Sequence, residues 1–111
     1  LKVLKKDPHT TANDDYLFLK PSGICFDDYD NIYICDSGYN RVKVLNSNLA
    51  LIKTIETASN MQDSLSQPKS VCVQNNVLYI SDSGNHRIVA YYILNDGSDF
   101  KFKCIYGNGY G

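Results

Sequence analysis

The sequence predicts an all-β protein built from two copies of one four-stranded antiparallel unit. The stretch PSGICFDDYDNIYICDSGYNRVKVL, which begins at Pro21, returns as PKSVCVQNNVLYISDSGNHRIVAYY from Pro68. Short apolar runs in each copy are separated by turns rich in Asn, Asp and Gly, the pattern of short strands. Neither copy shows helical periodicity. The repeated unit therefore organises the whole chain.

The two copies stay in register except at one turn. Pro21 lies 47 residues before Pro68, whereas Asp36 lies 46 residues before Asp82. One residue is therefore lost between these positions, where DDYDN in the first copy corresponds to QNNV in the second. A hairpin loop tolerates such a change in length, so this segment is predicted to join the first two strands.

Four strands are predicted in each copy. In chain order they are GICF, NIYICD, RVKVL and ALIKTI in the first copy, and SVCV, VLYISD, RIVAYY and FKFKCIY in the second. The first two strands carry apolar side chains on both faces, as the neighbours Ile32 and Tyr33 illustrate, so both faces need cover. The last strand of the second copy alternates Phe with Lys, which is typical of an outer strand.

A four-stranded sheet that is covered on both faces at its inner edge and is more polar at its outer edge is a propeller blade. The N-terminal LKVLKK is then predicted to be the outer strand of a preceding blade. The expected divisions are residues 1–20 for that strand and its connector, 21–67 for one blade and its connector, and 68–111 for a second blade and the start of the next connector.

The motifs P-x-G-I-x-x-D and N-I-Y-I-x-D-S-G-x-N-R-V resemble those of NHL-repeat proteins, closely over residues 21–45 and 68–92. The resemblance implies that each copy is a β-propeller blade, commonly one of six in a ring. The second copy departs from the pattern with Ser70 where the first has Gly23.

Two blades do not close a ring, and each open face would expose a large apolar patch. We expect the remaining propeller blades in the same chain, because an extra outer strand ahead of the first blade would be redundant in a threefold ring. A homo-trimer that closes a ring is the alternative.

Composition excludes several kinds of partner. The chain is 43% hydrophobic and 21% charged, as folded proteins are, and its 11 basic and 12 acidic residues give a net charge of -1. No overall positive field exists to attract nucleic acid or an anionic membrane. No apolar run approaches the ~20 residues that span a bilayer, so no membrane partner is expected.

Cysteine spacing and the lack of glycosylation sequons bear on the state of the thiols and on cellular location. The four cysteines have neither a metal-ligand spacing nor that of a disulfide framework, and they are predicted to be buried free thiols. No Asn-x-Ser/Thr sequon is present, which favours a cytoplasmic protein.

The residues that both copies share in this motif are predicted to form a structural turn clamp, a set of contacts that holds the turn between the second and third strands. An Asp ends the second strand, a Gly is expected to supply positive φ, and an Arg at the start of the third strand is expected to pair with the Asp. These residues are Asp36, Gly38 and Arg41 in the first copy and Asp82, Gly84 and Arg87 in the second. An active site is made once, so repetition in both copies favours a structural role.

The two residues of each turn that differ between the copies are the candidates for partner binding. They are Tyr39 and Asn40 in the first copy and Asn85 and His86 in the second. In a propeller this turn shares a face with the connectors between blades, here residues 7–20 and 57–67. The resemblance implies that this face commonly binds protein or RNA.

No catalytic residue, metal ligand or cofactor is assigned. Only His9 and His86 are present, too few for a three-ligand zinc site. Ser37 and Ser83 lack a repeated His partner and a Gly-x-Ser-x-Gly elbow, so turn capping is the expected role. The acidic turn DDYDN lacks the Gly and terminal Glu of a calcium loop and is predicted to be a hairpin turn.

The leading hypothesis is a non-enzymatic protein-interaction scaffold. The first alternative is part of a propeller enzyme, lactonase-like or similar to the metal-dependent peptidyl-hydroxyglycine lyases, whose catalytic residues lie in blades not present here. The second is RNA binding through one propeller face, which acidic segments and a shortage of free basic residues disfavour.

Overall fold

Two four-stranded antiparallel sheets make up the structure, a computed structural model that describes residues 16–107. The first sheet, called here the first blade, contains β1 (Pro21–Phe26), β2 (Ile32–Asp36), β3 (Arg41–Leu45) and β4 (Leu51–Ile55). The second blade contains β5 (Pro68–Gln74), β6 (Val77–Asp82), β7 (Arg87–Leu94) and β8 (Asp99–Tyr106). The all-β fold with four strands in each copy is confirmed.

Strand order follows the chain in both blades. β1 pairs with β2, β2 with β3 and β3 with β4, and the second blade repeats this pattern from β5 to β8. The predicted outer strand LKVLKK lies outside the described residues. In the part of the chain that is described, no helix has the length and apolar character needed to cross a membrane.

The turn between the first two strands differs between the blades as predicted. In the first blade Asp27 N–H donates to the Asn31 carbonyl at 3.1 Å, with three residues between them. In the second blade Gln74 pairs with Val77 across the two-residue turn Asn75–Asn76, where both residues have positive φ. That backbone matches a tight type I′ hairpin. The lost residue therefore lies in this hairpin.

The main hydrophobic core lies between the two blades. The first blade contributes Tyr33, Cys35, Val42 and Val44, and the second contributes Leu78, Ile80, Val89, Tyr91 and Ile93, each at most 8% exposed. These apolar side chains leave water only when both sheets are present, so each blade stabilises the other.

Each blade also has a face that its neighbour does not cover. Ile24 and Phe26 on the first blade are 60% and 59% exposed, and Ile88 on the second is also exposed. Ile24 corresponds in the repeat to Val71, which packs on the core, and Ile88 corresponds to Val42, which is fully buried. Within residues 16–107 the two sheets do not close into a ring. The uncovered faces therefore carry residues whose counterparts in the other repeat pack between the two blades.

Candidate functional site

A buried ion pair holds the turn between β2 and β3 in the first blade. The Asp36 carboxylate is fully buried, and its Oδ2 accepts a hydrogen bond from Arg41 Nε at 2.8 Å. Its Oδ1 accepts from the backbone N–H of Leu19, in the connector ahead of β1, at 2.6 Å. The expected Asp–Arg contact is present. The carboxylate also joins the turn to the connector.

The second blade repeats this arrangement, and Asp63 adds a second carboxylate to its arginine. Asp82 Oδ2 accepts from Arg87 Nε at 2.7 Å, and its Oδ1 accepts from the Ser66 N–H at 2.6 Å. The remaining nitrogens of Arg87 bind Asp63 through two hydrogen bonds of 3.1 and 2.9 Å. These bonds raise the pKa of the Arg87 guanidinium. Both turns are thus fixed to connectors by charge-assisted hydrogen bonds.

The glycines of the repeated motif serve close packing. The prediction that Gly38 and Gly84 supply positive φ is wrong, because the left-handed residues are Asn40 and His86, at 57° and 56°. Gly38 N–H donates to the Leu19 carbonyl at 2.7 Å, and a Cβ on this glycine would lie 2.6 Å from that oxygen. The second blade has the same hydrogen bond at 2.7 Å. The connector crosses the turn so closely that no side chain fits there.

The prediction that the serines of the motif cap these turns is wrong. Neither 3-10 turn, Ser37–Tyr39 or Ser83–Asn85, has a side-chain cap. Ser37 Oγ donates to the carbonyl of Pro68 in the second blade, and it lies 2.6 Å from Ser22 Oγ. Ser37 therefore links the two blades.

The first variable position of each turn lies beside the ion pair. The Arg41 guanidinium stands over the Tyr39 ring, 4.7 Å from its centroid, and the tyrosine is 43% exposed. In the second blade Asn85 Nδ2 donates to Asp82 Oδ2 and to the Ser64 carbonyl, both at 3.0 Å. Asn85 is half-buried and its amide nitrogen is occupied, whereas Tyr39 presents a large exposed side chain.

The second variable position lies where one blade meets the next connector. Asn40 is exposed, and its Oδ1 accepts the backbone N–H of Gln67, just ahead of β5, at 2.8 Å. His86 occupies the same repeat position in the second blade and is exposed. The turns therefore share a face with the connectors, and this surface is called the turn face below. That Tyr39, Asn40, Asn85 and His86 contact a partner remains a prediction.

A separate network joins the blades at the opposite end. Asp27 is buried, and its Oδ2 accepts from Asn31 Nδ2 at 2.9 Å and from the Tyr33 hydroxyl at 2.7 Å. Burial and the hydrogen bond to Asp27 raise the pKa of Tyr33. The β7–β8 turn of the second blade packs on this network through Gly97, whose φ is 88°.

Sequence reasoning missed this second link between the blades. The acidic turn is a hairpin, as predicted, and Asp27 Oδ1 also accepts backbone N–H groups of Tyr29 and Asn31, at 2.8 and 3.0 Å. Both carboxylate oxygens of Asp27 are thus occupied by donors. The signal in the sequence was Asp27, four residues before Asn31 in the first copy, together with Gly97 in the last turn of the second copy.

A groove of about 470 Å³ opens on the turn face between the blades and is called here the junction groove. Its polar lining consists of Lys20, Ser22, Ser37, Asn40, Gln67 and Lys69. Among the described residues, this lining includes two lysines and no Asp or Glu. The groove lies beside Asn40, one of the predicted contact residues on this face.

The four cysteines are free thiols, but their burial differs from the prediction. Cys35 is buried, Cys25 and Cys104 are half-buried, and Cys72 is exposed, so the expected burial is wrong for Cys72. Desolvation raises the pKa of Cys25 and of Cys35 to about 12. These two thiols therefore stay protonated and poorly nucleophilic at neutral pH.

Within residues 16–107, no group of three or more His, Cys, Asp or Glu side chains is placed to hold a metal ion. His86 lies on the turn face, and His9 lies outside the described residues.

Comparison with known proteins connects this geometry to a family. A family model described as the NHL repeat matches the chain twice, over residues 18–45 and 65–91. Each match begins in the connector that donates to the buried Asp carboxylate and ends in the third strand of its blade. A comparison with curated proteins finds none that matches the chain. The chain belongs to the NHL-repeat family and carries two of its β-propeller blade repeats.

Proposed function

We propose that this NHL segment acts as a non-enzymatic protein-interaction scaffold that binds a partner through the turn face. NHL repeats are propeller motifs of protein interaction, which supports the class. The observation that carries the proposal is the exposed Tyr39 ring, held in place beside the buried Asp36–Arg41 pair. A large aromatic side chain with few rotatable bonds supplies contact area at low entropic cost.

The support beneath this surface also favours binding. The turns carry buried carboxylates that bond to the connectors, so the exposed side chains sit on a rigid frame. A surface that is already ordered loses little conformational entropy when a partner binds. The hydroxyl of Ser37 and the carboxylates of Asp36 and Asp82 take part in structural bonds, which disfavours a catalytic role for the repeated motif.

Photo-crosslinking in cells tests the proposal. We expect benzoylphenylalanine at position 39 of the full-length protein to trap a protein partner, whereas the same residue at position 29 traps none. Tyr29 is the matched control because it is 45% exposed, close to the 43% of Tyr39, and lies in the β1–β2 turn at the opposite end. Mass spectrometry of the trapped species gives the measurement.

Two outcomes would contradict the scaffold proposal. One is equal trapping, or none, at both positions. The other is a trapped species that ribonuclease removes, which would favour RNA binding. We expect Tyr39→Ala to abolish partner binding but to change the free energy of unfolding by less than about 1 kcal/mol, because only an exposed cation–π contact is lost.

We also propose that further blades, from the same chain or from copies of it, cover the two open faces. The support is the repeat equivalence of Ile24 with the packed Val71, and of Ile88 with the buried Val42. We expect the isolated chain to sediment well above its mass of 12.5 kDa, and Ile24→Asp to return it to a monomer, because a charge is costly in an apolar interface. A monomer at every soluble concentration of the unmodified chain would contradict this assembly.

A further inference from the structure

The junction groove is rich in hydrogen-bond donors that have no partner. Within residues 16–107, the ammonium groups of Lys20 and Lys69 form neither a hydrogen bond nor an ion pair. Both side chains are exposed, and they belong to the connector of the first blade and to β5 of the second. The two positive charges therefore approach the groove from different blades.

The amide of Asn40 adds a directed donor. Its Oδ1 accepts the Gln67 N–H at 2.8 Å, which fixes the orientation of the amide group. The Nδ2 group is left without a partner among the described residues, and Asn40 belongs to the lining of the groove. Because Asn40 is held by the connector of the next blade, this donor exists in its observed position only when both blades are packed together.

The serine hydroxyls in the groove and the carboxylate behind the turn are already bonded. The Ser22 and Ser37 hydroxyls lie 2.6 Å apart, and Ser37 Oγ donates to the Pro68 carbonyl at the start of β5. The Asp36 carboxylate, just behind the turn, is fully buried and is bonded to Leu19 and Arg41. The described lining of the groove thus presents two lysines and a free amide donor, and it contains no carboxylate.

We propose that the junction groove binds an Asp or Glu side chain from a segment of the protein partner, an inference that rests on the proposed function. A carboxylate is an acceptor-only group and matches donors from Lys20, Lys69 and Asn40. The volume of about 470 Å³ lies in the range of small-ligand pockets and fits a side chain with its flanking backbone. Leu19, 43% exposed, lines the groove and offers apolar contact beside the charge.

A protein segment fits this groove better than RNA does. Readers of single-stranded RNA stack bases on exposed aromatic rings and follow the backbone with a basic track. Arg41 occupies one face of the Tyr39 ring, 4.7 Å from its centroid, and both Arg41 and Arg87 are bonded to buried carboxylates. Two lysines at one junction can pair with one or two carboxylates but do not form such a track.

Nuclear magnetic resonance titration of the full-length protein tests the inference. The probe is a short peptide of Gly, Ser and Leu with two adjacent Glu, and the matched peptide carries Gln at both positions. We expect the Glu peptide alone to shift the amide signals of Asn40, Gln67 and Lys69. Its affinity should fall as salt concentration rises, because exposed charge pairs are screened.

Charge variants locate the binding site. The double variant Lys20→Gln/Lys69→Gln should bind the Glu peptide about tenfold more weakly, consistent with the loss of two partly exposed ion pairs. The matched control is Lys53→Gln/Lys101→Gln, which removes two exposed lysines from the outer strands β4 and β8 and should bind as the unmodified protein does. Asn40→Asp retains the acceptor for Gln67 and should eliminate binding, because its second oxygen would repel the peptide.

The outcomes separate this inference from the scaffold proposal. Equal affinity of both double variants for the Glu peptide, equal binding of the Glu and Gln peptides, or shifts produced only by an oligouridine probe would overturn the acidic-segment site. If crosslinking at position 39 still traps a protein in any of these cases, the scaffold proposal stands and only the ligand chemistry is wrong. If Glu binding is confirmed but position 39 traps no protein, the groove stands as a carboxylate site and the scaffold proposal fails.

Discussion

Asp36→Ala is expected to lower the free energy of unfolding by about 3 to 5 kcal/mol, the usual range when one partner of a buried ion pair is removed. The substitution leaves the Arg41 guanidinium without the carboxylate that its Nε contacts at 2.8 Å. It also removes the acceptor for the Leu19 N–H, so the connector ahead of β1 loses its link to the turn. Equilibrium urea unfolding, followed by circular dichroism, gives the measurement.

Asp28→Ala is the matched control for this prediction. Asp28 is exposed in the β1–β2 turn of the same blade, so its loss should change the free energy of unfolding by no more than about 0.5 kcal/mol. Similar small losses for both variants would show that the Asp36–Arg41 pair is not a clamp. Its role would then have to be sought in partner binding.

Gly97→Ala is expected to destabilise the protein by at least about 2 kcal/mol, because a left-handed backbone alone costs a residue with a Cβ about 1 to 2 kcal/mol. Gly97 is buried with φ of 88°, and an added Cβ would collide with Asn31 Nδ2 and lie 2.8 Å from Asp27 Oδ2. The collision would displace the buried network that joins the second blade to the first. Thermal unfolding monitored by tyrosine fluorescence measures the change.

Ser98→Ala tests whether the effect belongs to position 97. Ser98 is exposed in the same turn, and its hydroxyl donates to the Asn95 carbonyl, so its loss should cost less than about 1 kcal/mol. If Gly97→Ala were no more harmful than Ser98→Ala, the contact between the β7–β8 turn and the Asp27 network would not contribute to blade packing.

The fold could be predicted because a repeated sequence pattern indicates a repeated structural unit. Two copies with Pro21 and Pro68 at the start and Asp36 and Asp82 at the end of the second strand leave little choice of element order. Apolar residues on successive positions of β2 required cover on both faces, and the core between the blades supplies cover on one of them. The location of the shortened hairpin followed from counting residues.

The candidate site could be predicted only in part. The Asp–Arg contact was expected because the two residues end and begin neighbouring antiparallel strands, which places Asp36 opposite Arg41. The role of Gly38 was misread because its constraint comes from the connector at Leu19, nineteen residues away in the chain. Glycine is also the ordinary choice where φ is positive, whereas here Asn40 adopts that backbone.

The roles of the variable pair depend on what lies beside each turn. Tyr39 and Asn85 occupy the same repeat position, yet the first supports an exposed cation–π contact and the second bonds to a buried carboxylate. Asn40 bonds to Gln67 of the next connector, which no feature within its own repeat would indicate. The same repeat position therefore presents a different surface in each blade, because a different amino acid occupies it.

The sequence by itself determined the repeat unit, its four strands, their order and the residues of the buried ion pairs. These features depend on short-range periodicity and on turn chemistry within about 46 residues, the spacing of the repeated Asp. Only the tertiary structure decided which glycines face a crossing connector, how Asp27 and Gly97 join the blades and where the junction groove opens. Those features arise where two copies of the unit meet, and contacts between residues distant in the chain leave no periodic pattern in either copy.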